Sequence, residues 1–139
     1  MTRTILVVDD ERDLAATCQR LLIRRGWDVV IAGSCAAALT VLDGTPRPVL
    51  AIVDRQLPDG DGLDVLRAAL LVETPVIMVT GYGSAATRRL ALDEGAVGFL
   101  AKPFSAYELL ELVRNIVGDG SGPVTLPPPP GQPRPGIHC

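Results

Sequence analysis

Five residues of types that do chemistry each close or follow a short apolar run. Asp9 and Asp10 follow "ILVV", Asp54 closes "VLAIVD", Thr80 closes "VIMVT", and Lys102 follows "GFLA". Lys102 is the only lysine; the chain's 13 basic residues are otherwise arginines. Delivered to one cleft, these residues would place three carboxylates beside a hydroxyl and an ammonium. Carboxylates within a few ångströms repel and raise one another's pKa, and a divalent cation relieves this. Mg²⁺, or Mn²⁺ with similar preferences, takes oxygen ligands and keeps several waters, so two carboxylates and a backbone carbonyl suit it and a phosphoryl oxygen can fill another position. Lys102 would give the remaining phosphoryl oxygens a compact point charge where arginine's planar fork is bulkier, and Thr80 would give them a hydroxyl donor. Gly81 leaves room for close approach. Asp54 could then act as nucleophile and form an aspartyl-phosphate, with catalysis by positioning and charge stabilisation.

Each residue has a plainer reading alone. Asp9 or Asp10 could cap the first helix. Thr80 could be an ordinary turn residue, and Lys102 an exposed lysine at a strand end. Their coincidence at matching strand ends argues for a site.

The elements that must position them read as five βα units. The strands are the runs from Ile5 to Val8, Asp28 to Ala32, Val49 to Val53, Val76 to Val79 and Gly98 to Ala101. They are short, mostly β-branched and show little alternation, as expected of strands covered on both faces. Leu14, Cys18, Leu21 and Leu22 lie at helical spacing before Gly26. Ser34 can cap a helix through Leu42, and Gly62 to Leu71 forms a third before Thr74-Pro75. Ser84 starts a fourth that ends at Gly95. Ser105 and Glu108 form a capping-box pattern for a fifth, with Leu109, Leu112, Val113 and Ile116 as its apolar face. Alternating strands and helices imply an α/β doubly wound sandwich, a flavodoxin-like (βα)5 fold with parallel order 2-1-3-4-5 and a crevice at the carboxyl ends of strands 1 and 3.

Composition narrows the function. The 139 residues carry a net charge of -3, against a nucleic-acid binder working through a basic surface. No apolar run is long enough to span a bilayer and the N-terminus lacks a signal-peptide pattern, so a cytoplasmic protein is expected. Cys18, Cys35 and Cys139 lack metal-ligand spacing and read as free thiols. His138 and Cys139 sit in a Pro/Gly-rich segment, 119–139, read as a disordered tail after a domain spanning 1–118. Its "PPPPGQPRP" has the PxxP spacing of a docking ligand, which also arises by chance in such tails.

The motifs "ILVVDDE", "AIVDRQLPDGDGLDVL", "PVIMVTGYG" and "GAVGFLAKPF" together resemble the response-regulator receiver domain of two-component signalling, over about residues 3 to 118. The resemblance implies Asp54 as phosphoacceptor, Asp10 as a direct Mg²⁺ ligand, Asp9 as a ligand through water, and the Gln56 carbonyl as a backbone ligand. It implies Thr80 as switch hydroxyl, Phe99 as switch aromatic, Lys102 as the family's lysine, and a cis Lys102-Pro103 bond. Phosphorylation would draw Thr80 inward, rotate Phe99 and reshape the face of the fourth helix, fifth strand and fifth helix. The implied partners are a histidine kinase or phosphotransfer protein and a downstream protein, with a homodimer on phosphorylation as a further option. Phe99 could instead be a fixed core aromatic.

Arg55 departs from the family, which usually has an apolar residue there. It could pair with Asp59 or Asp61, contact a partner, or be solvated. Gln56 and Tyr82 occupy positions that in this family border the phosphoryl group, so the resemblance implies that a bulky Tyr82 would shield it from water. Arg88 and Arg89 on the fourth helix are either a docking spot for an acidic partner or solvated charges. Two other functions compete. One is the receiver of a larger transcription regulator. The other is a haloacid-dehalogenase-type phosphohydrolase, which would need an acid where Gln56 stands and a substrate cap.

Overall fold

The computed structural model describes residues 3–81 and 85–118. Tyr82, Ser84 and the segment 119–139, with Cys139 and His138, lie outside the described residues. Five strands, β1 (Thr4–Val8), β2 (Asp28–Ala32), β3 (Leu50–Asp54), β4 (Val76–Thr80) and β5 (Gly98–Ala101), form one sheet. All neighbours are parallel, in the order β2-β1-β3-β4-β5. The helices are α1 (Arg12–Ile23), α2 (Cys35–Asp43), α3 (Gly62–Leu71), α4 (Ala85–Asp93) and α5 (Ala106–Val117). This is the flavodoxin-like order expected from the five runs. Between β3 and α3 the chain adds a two-residue antiparallel ribbon, Gln56–Leu57 against Gly60–Asp61.

Strand side chains alternate between faces, so each strand feeds two cores. Leu6, Val8, Ala51, Val53, Val76 and Met78 join Leu42, Leu66 and Ala91 on the side of α2, α3 and α4. Ile5, Val7, Leu50, Ile52, Ile77 and Val79 join Leu22, Leu109 and Val113 on the side of α1 and α5. Every residue of β3 and β4 is buried, which is why their sequences do not alternate. Each such Leu or Ile contributes roughly 1.5–3 kcal/mol by leaving water. The expectation of two covered faces fails for β2, where Val30 and Ile31 are exposed. β2 is an edge strand with one neighbour, and its rim lies where the helix layers give out.

Local chemistry sets the helix ends. Ser34 Oγ accepts from Ala37 N, and Ser105 with Glu108 forms the reciprocal capping box. α1 instead begins after Glu11 with no side-chain cap bond, so neither Asp9 nor Asp10 is held as its cap. Leu109 and Val113 are buried, with Leu112 and Ile116 packed beside them. The Lys102-Pro103 bond is cis, as is Thr45-Pro46. Cys18 and Cys35 are buried free thiols. Burial, with the nearby Asp9 charge, pushes Cys18 up to about 11.

Candidate functional site

The parallel sheet aims the carboxyl ends of β1, β3, β4 and β5 at one rim. Hydrogen bonding holds that rim in register: Asp9 N donates to Ala32 O at 3.0 Å, Arg55 N to Val79 O at 2.8 Å, and Lys102 N to Thr80 O at 2.8 Å. Asp9, Asp54 and Thr80 are the buried polar residues of this rim.

Lys102 is the hub. Its Nζ lies 2.7 Å from Glu11 Oε1, 2.9 Å from Asp54 Oδ2 and 3.2 Å from Asp9 Oδ2. Asp54 Oδ1 accepts from Gln56 N at 3.2 Å, and Asp9 Oδ1 accepts from Glu11 N at 2.9 Å. Burial pushes the Asp9 carboxyl up, the Glu11 amide and Lys102 pull it back in part, and the Asp54 charge adds to the rise. Burial alone would lower the Lys102 ammonium. Its hydrogen bonds to Glu11 and Asp54 and the charges of Asp9 and Asp54 outweigh that and hold it above the ordinary lysine value.

Carboxylate oxygens of Asp9, Glu11 and Asp54 lie within 4.8 Å of one another. Three carboxylates and one ammonium leave this group doubly negative, which suits a hard divalent cation with oxygen ligands. Asp10 is exposed on the same turn and lines, with Asp9, Arg12, Ala15, Ile31 and Gly33, a cavity of about 410 Å³. Glu11 is the acid that spacing alone did not single out. It is the third letter of "DDE", and only the fold brings it to a lysine 91 positions away.

A second cavity, about 340 Å³, is lined by Arg55, Gln56, Leu57, Gly60, Asp61, Thr80 and Thr87. Arg55 Nε lies 3.4 Å from Asp61 Oδ1, which settles its partner between the two aspartates. Asp59 instead accepts from Cys35 N at 2.7 Å and Ala36 N at 3.0 Å, tying the loop after Asp54 to the start of α2. Gly62 was also missed as a site residue. Its N donates to Arg55 O at 2.7 Å, and a Cβ there would run into the Asp54 carbonyl oxygen and sit 2.9 Å from Arg55 Cα. Only glycine lets α3 approach the backbone of Asp54 this closely.

Phe99 is partly buried against the core on the α3 side, not locked inside it. Arg88 and Arg89 are exposed on α4. Gly81 follows Thr80 at the same rim, with nothing among the described residues within 4 Å of where its Cβ would be. Among the described residues no helix is long and apolar enough to cross a membrane.

Comparison with known proteins agrees with this geometry. The family described as "Response regulator receiver domain" matches residues 5–114. The transcriptional regulatory protein CpxR of Escherichia coli (strain K12) is 39% identical over 114 residues, covering 81% of this chain and 48% of CpxR. The chain thus spans about half the length of that curated relative. A CheY-like response regulator receiver domain protein from Methanospirillum hungatei JF-1 superposes with a TM-score of 0.76 at 31% identity, covering 83% of this chain and 93% of that one. A response regulator from Burkholderia pseudomallei, solved with a phosphorylated aspartic acid, calcium ion and citrate, gives a TM-score of 0.72 at 32% identity, covering 79% and 65%.

Proposed function

The chain belongs to the response regulator receiver domain family, and on that premise we propose that Asp54 accepts a phosphoryl group from a histidine kinase or phosphotransfer protein. The observation that carries this is the placement of Asp54, buried at the end of a central strand, 2.9 Å from the ammonium of Lys102 and within the carboxylate group. An Asp54 carboxylate oxygen attacks phosphorus, and the donor's bond to phosphorus breaks with its electron pair leaving on the donor. Lys102 sits where it can turn from Asp54 to the new phosphoryl oxygens, and Thr80 lines the adjoining cavity. The oxygen-only donor set fits Mg²⁺ or Mn²⁺. Asp9, Asp10, Asp54 and the Gln56 carbonyl would hold the ion, with Glu11 beside them. When bound it neutralises charge on the carboxylates and the phosphoryl group. The phosphorylated aspartate of the Burkholderia relative supports the same chemistry here.

The signal would leave through the face of α4, β5 and α5, with Thr80 and Phe99 as the moving parts. Of the residues of α4 only Ala91 is buried, so little packing opposes a shift of that helix. On this reading the domain spans 1–118 and works in the cytoplasm. It controls a protein partner without itself binding nucleic acid, admits a homodimer when phosphorylated, and turns over no separate substrate. A second reading, the receiver of a longer transcription regulator, is favoured by the half-length coverage of CpxR. The intact mass of the protein isolated from its own cells separates the two.

The test is intact mass after incubation with Mg²⁺ and acetyl phosphate. One phosphoryl adduct is expected on the wild type and none on Asp54→Asn or in EDTA. No adduct under conditions that label another receiver would contradict the reading. Tyr82, next to the rim in sequence, would shield the phosphoryl group, so Tyr82→Ala should shorten the adduct's lifetime; an unchanged decay rate removes that role.

A further inference from the structure

Two cations beside Asp54 in the described structure, Lys102 and Arg55, have unequal commitments. Lys102 is in contact with three carboxylates at 2.7–3.2 Å. Arg55 reaches Asp61 at 3.4 Å, and that same Asp61 oxygen already accepts from Leu63 N at 3.0 Å as the cap of α3. Arg55 is thus the more loosely held cation, with its side chain 29% exposed. It also lines a cavity that contains both Thr80 and Gln56, and it follows Asp54 directly in the chain. The carboxylates of Asp9 and Glu11 gather with Asp54 on Lys102, away from the lining of that cavity. A leaving group that becomes negative as its bond to phosphorus breaks is repelled by those carboxylates and attracted by the Arg55 guanidinium.

We propose that Arg55 is a specificity-determining residue that favours phosphodonors whose leaving group is anionic, an acyl phosphate being the simplest class, by receiving that group in the cavity it shares with Gln56, Thr80 and Thr87. This rests on the phosphoacceptor reading of Asp54. With acetyl phosphate, an Asp54 oxygen bonds to phosphorus, the acyl C–O–P linkage breaks between oxygen and phosphorus, and acetate leaves with the electron pair. Its new negative charge then faces Arg55, whose guanidinium donates to the acetate carboxylate bidentately. With phosphoramidate the P–N bond breaks and neutral ammonia leaves, so the guanidinium gains nothing from that group.

The experiment compares labelling rates with acetyl phosphate and phosphoramidate, both with Mg²⁺, for wild type, Arg55→Leu and Arg55→Lys. Arg55→Leu should lower the acetyl phosphate rate relative to the phosphoramidate rate by about three- to tenfold, the size expected of one partly solvated charge a few ångströms away. Arg55→Lys should recover much of that ratio. Raising the salt concentration should narrow the wild-type preference and leave that of Arg55→Leu unmoved. If Arg55→Leu slows both donors equally, Arg55 only supports the loop and the proposal is wrong. If neither donor labels the wild type, the phosphoacceptor reading fails and takes this one with it. Labelling with an unaltered ratio sinks this proposal alone.

Discussion

The two ends of the same sheet are built on opposite terms. At the amino end, polar groups meet partners of matching chemistry. The Arg3 guanidinium lies 4.7 Å over the Trp27 ring and donates to Val117 O at 2.8 Å, and buried Thr74 donates to Pro48 O at 3.3 Å. Trp27 is 3% exposed and joins the core beneath α1 and α5. At the carboxyl end three carboxylates press on one ammonium. One end contributes stability with no chemistry to perform. The other keeps like charges close, an arrangement that costs stability and readies the site for a cation and a phosphoryl group.

Substitutions can break this contrast. The largest effect is expected from Trp27→Ala, about 3–5 kcal/mol lost as the ring's packing and the Arg3 stack disappear. Chemical denaturation would measure it, and labelling of the folded fraction should be unchanged, since Trp27 lies at the far end. Lys102→Met comes next, with a loss of about 3 kcal/mol. That is near the low end for an orphaned buried charge, because Glu11 is exposed and a carboxyl can take up a proton. Labelling should fall with it.

The same residue gives a pH signature. The folded Lys102 ammonium is held above its unfolded value near 10.5, so its contribution is complete below that pH and is lost as pH rises through the folded value. Wild-type stability should therefore fall above about pH 10.5 more steeply than that of Lys102→Met.

The smallest effect has the opposite sign. Asp9 is pushed up by burial, so its ionised form is disfavoured in the fold, and Asp9→Asn should raise the denaturant midpoint at pH 7 without metal while impairing Mg²⁺-dependent labelling. If Asp9→Asn instead lowered the midpoint, the carboxyl end would be held together by its charges, and the contrast with the amino end would collapse.

What the sequence revealed follows the same division. β3 and β4 were legible because strands buried on both faces must be short and continuously apolar, and their ends then locate Asp54 and Thr80. The α5 capping box was legible because it is local, two residues three apart. Glu11 and Gly62 were not, because their roles depend on contacts with chain far away or after a loop. Glu11 meets Lys102 across the sheet, and Gly62 meets the Asp54 backbone after the ribbon folds back. The partner of Arg55 was open between two aspartates two residues apart, and the α2 N-terminus decided it by taking Asp59. Edge positions explain the strands whose apolar runs overstated their burial, β2 most and β5 at Ala101.

The central claim is that Asp54, and not its acidic neighbours, carries the phosphoryl group. Borohydride reduces an aspartyl-phosphate to homoserine, so reducing the labelled protein and mapping its peptides marks the acceptor. The account predicts homoserine at position 54 and unchanged aspartate at 9 and 10. Homoserine at 9 or 10, or a labelled protein with intact aspartate at all three, would contradict it.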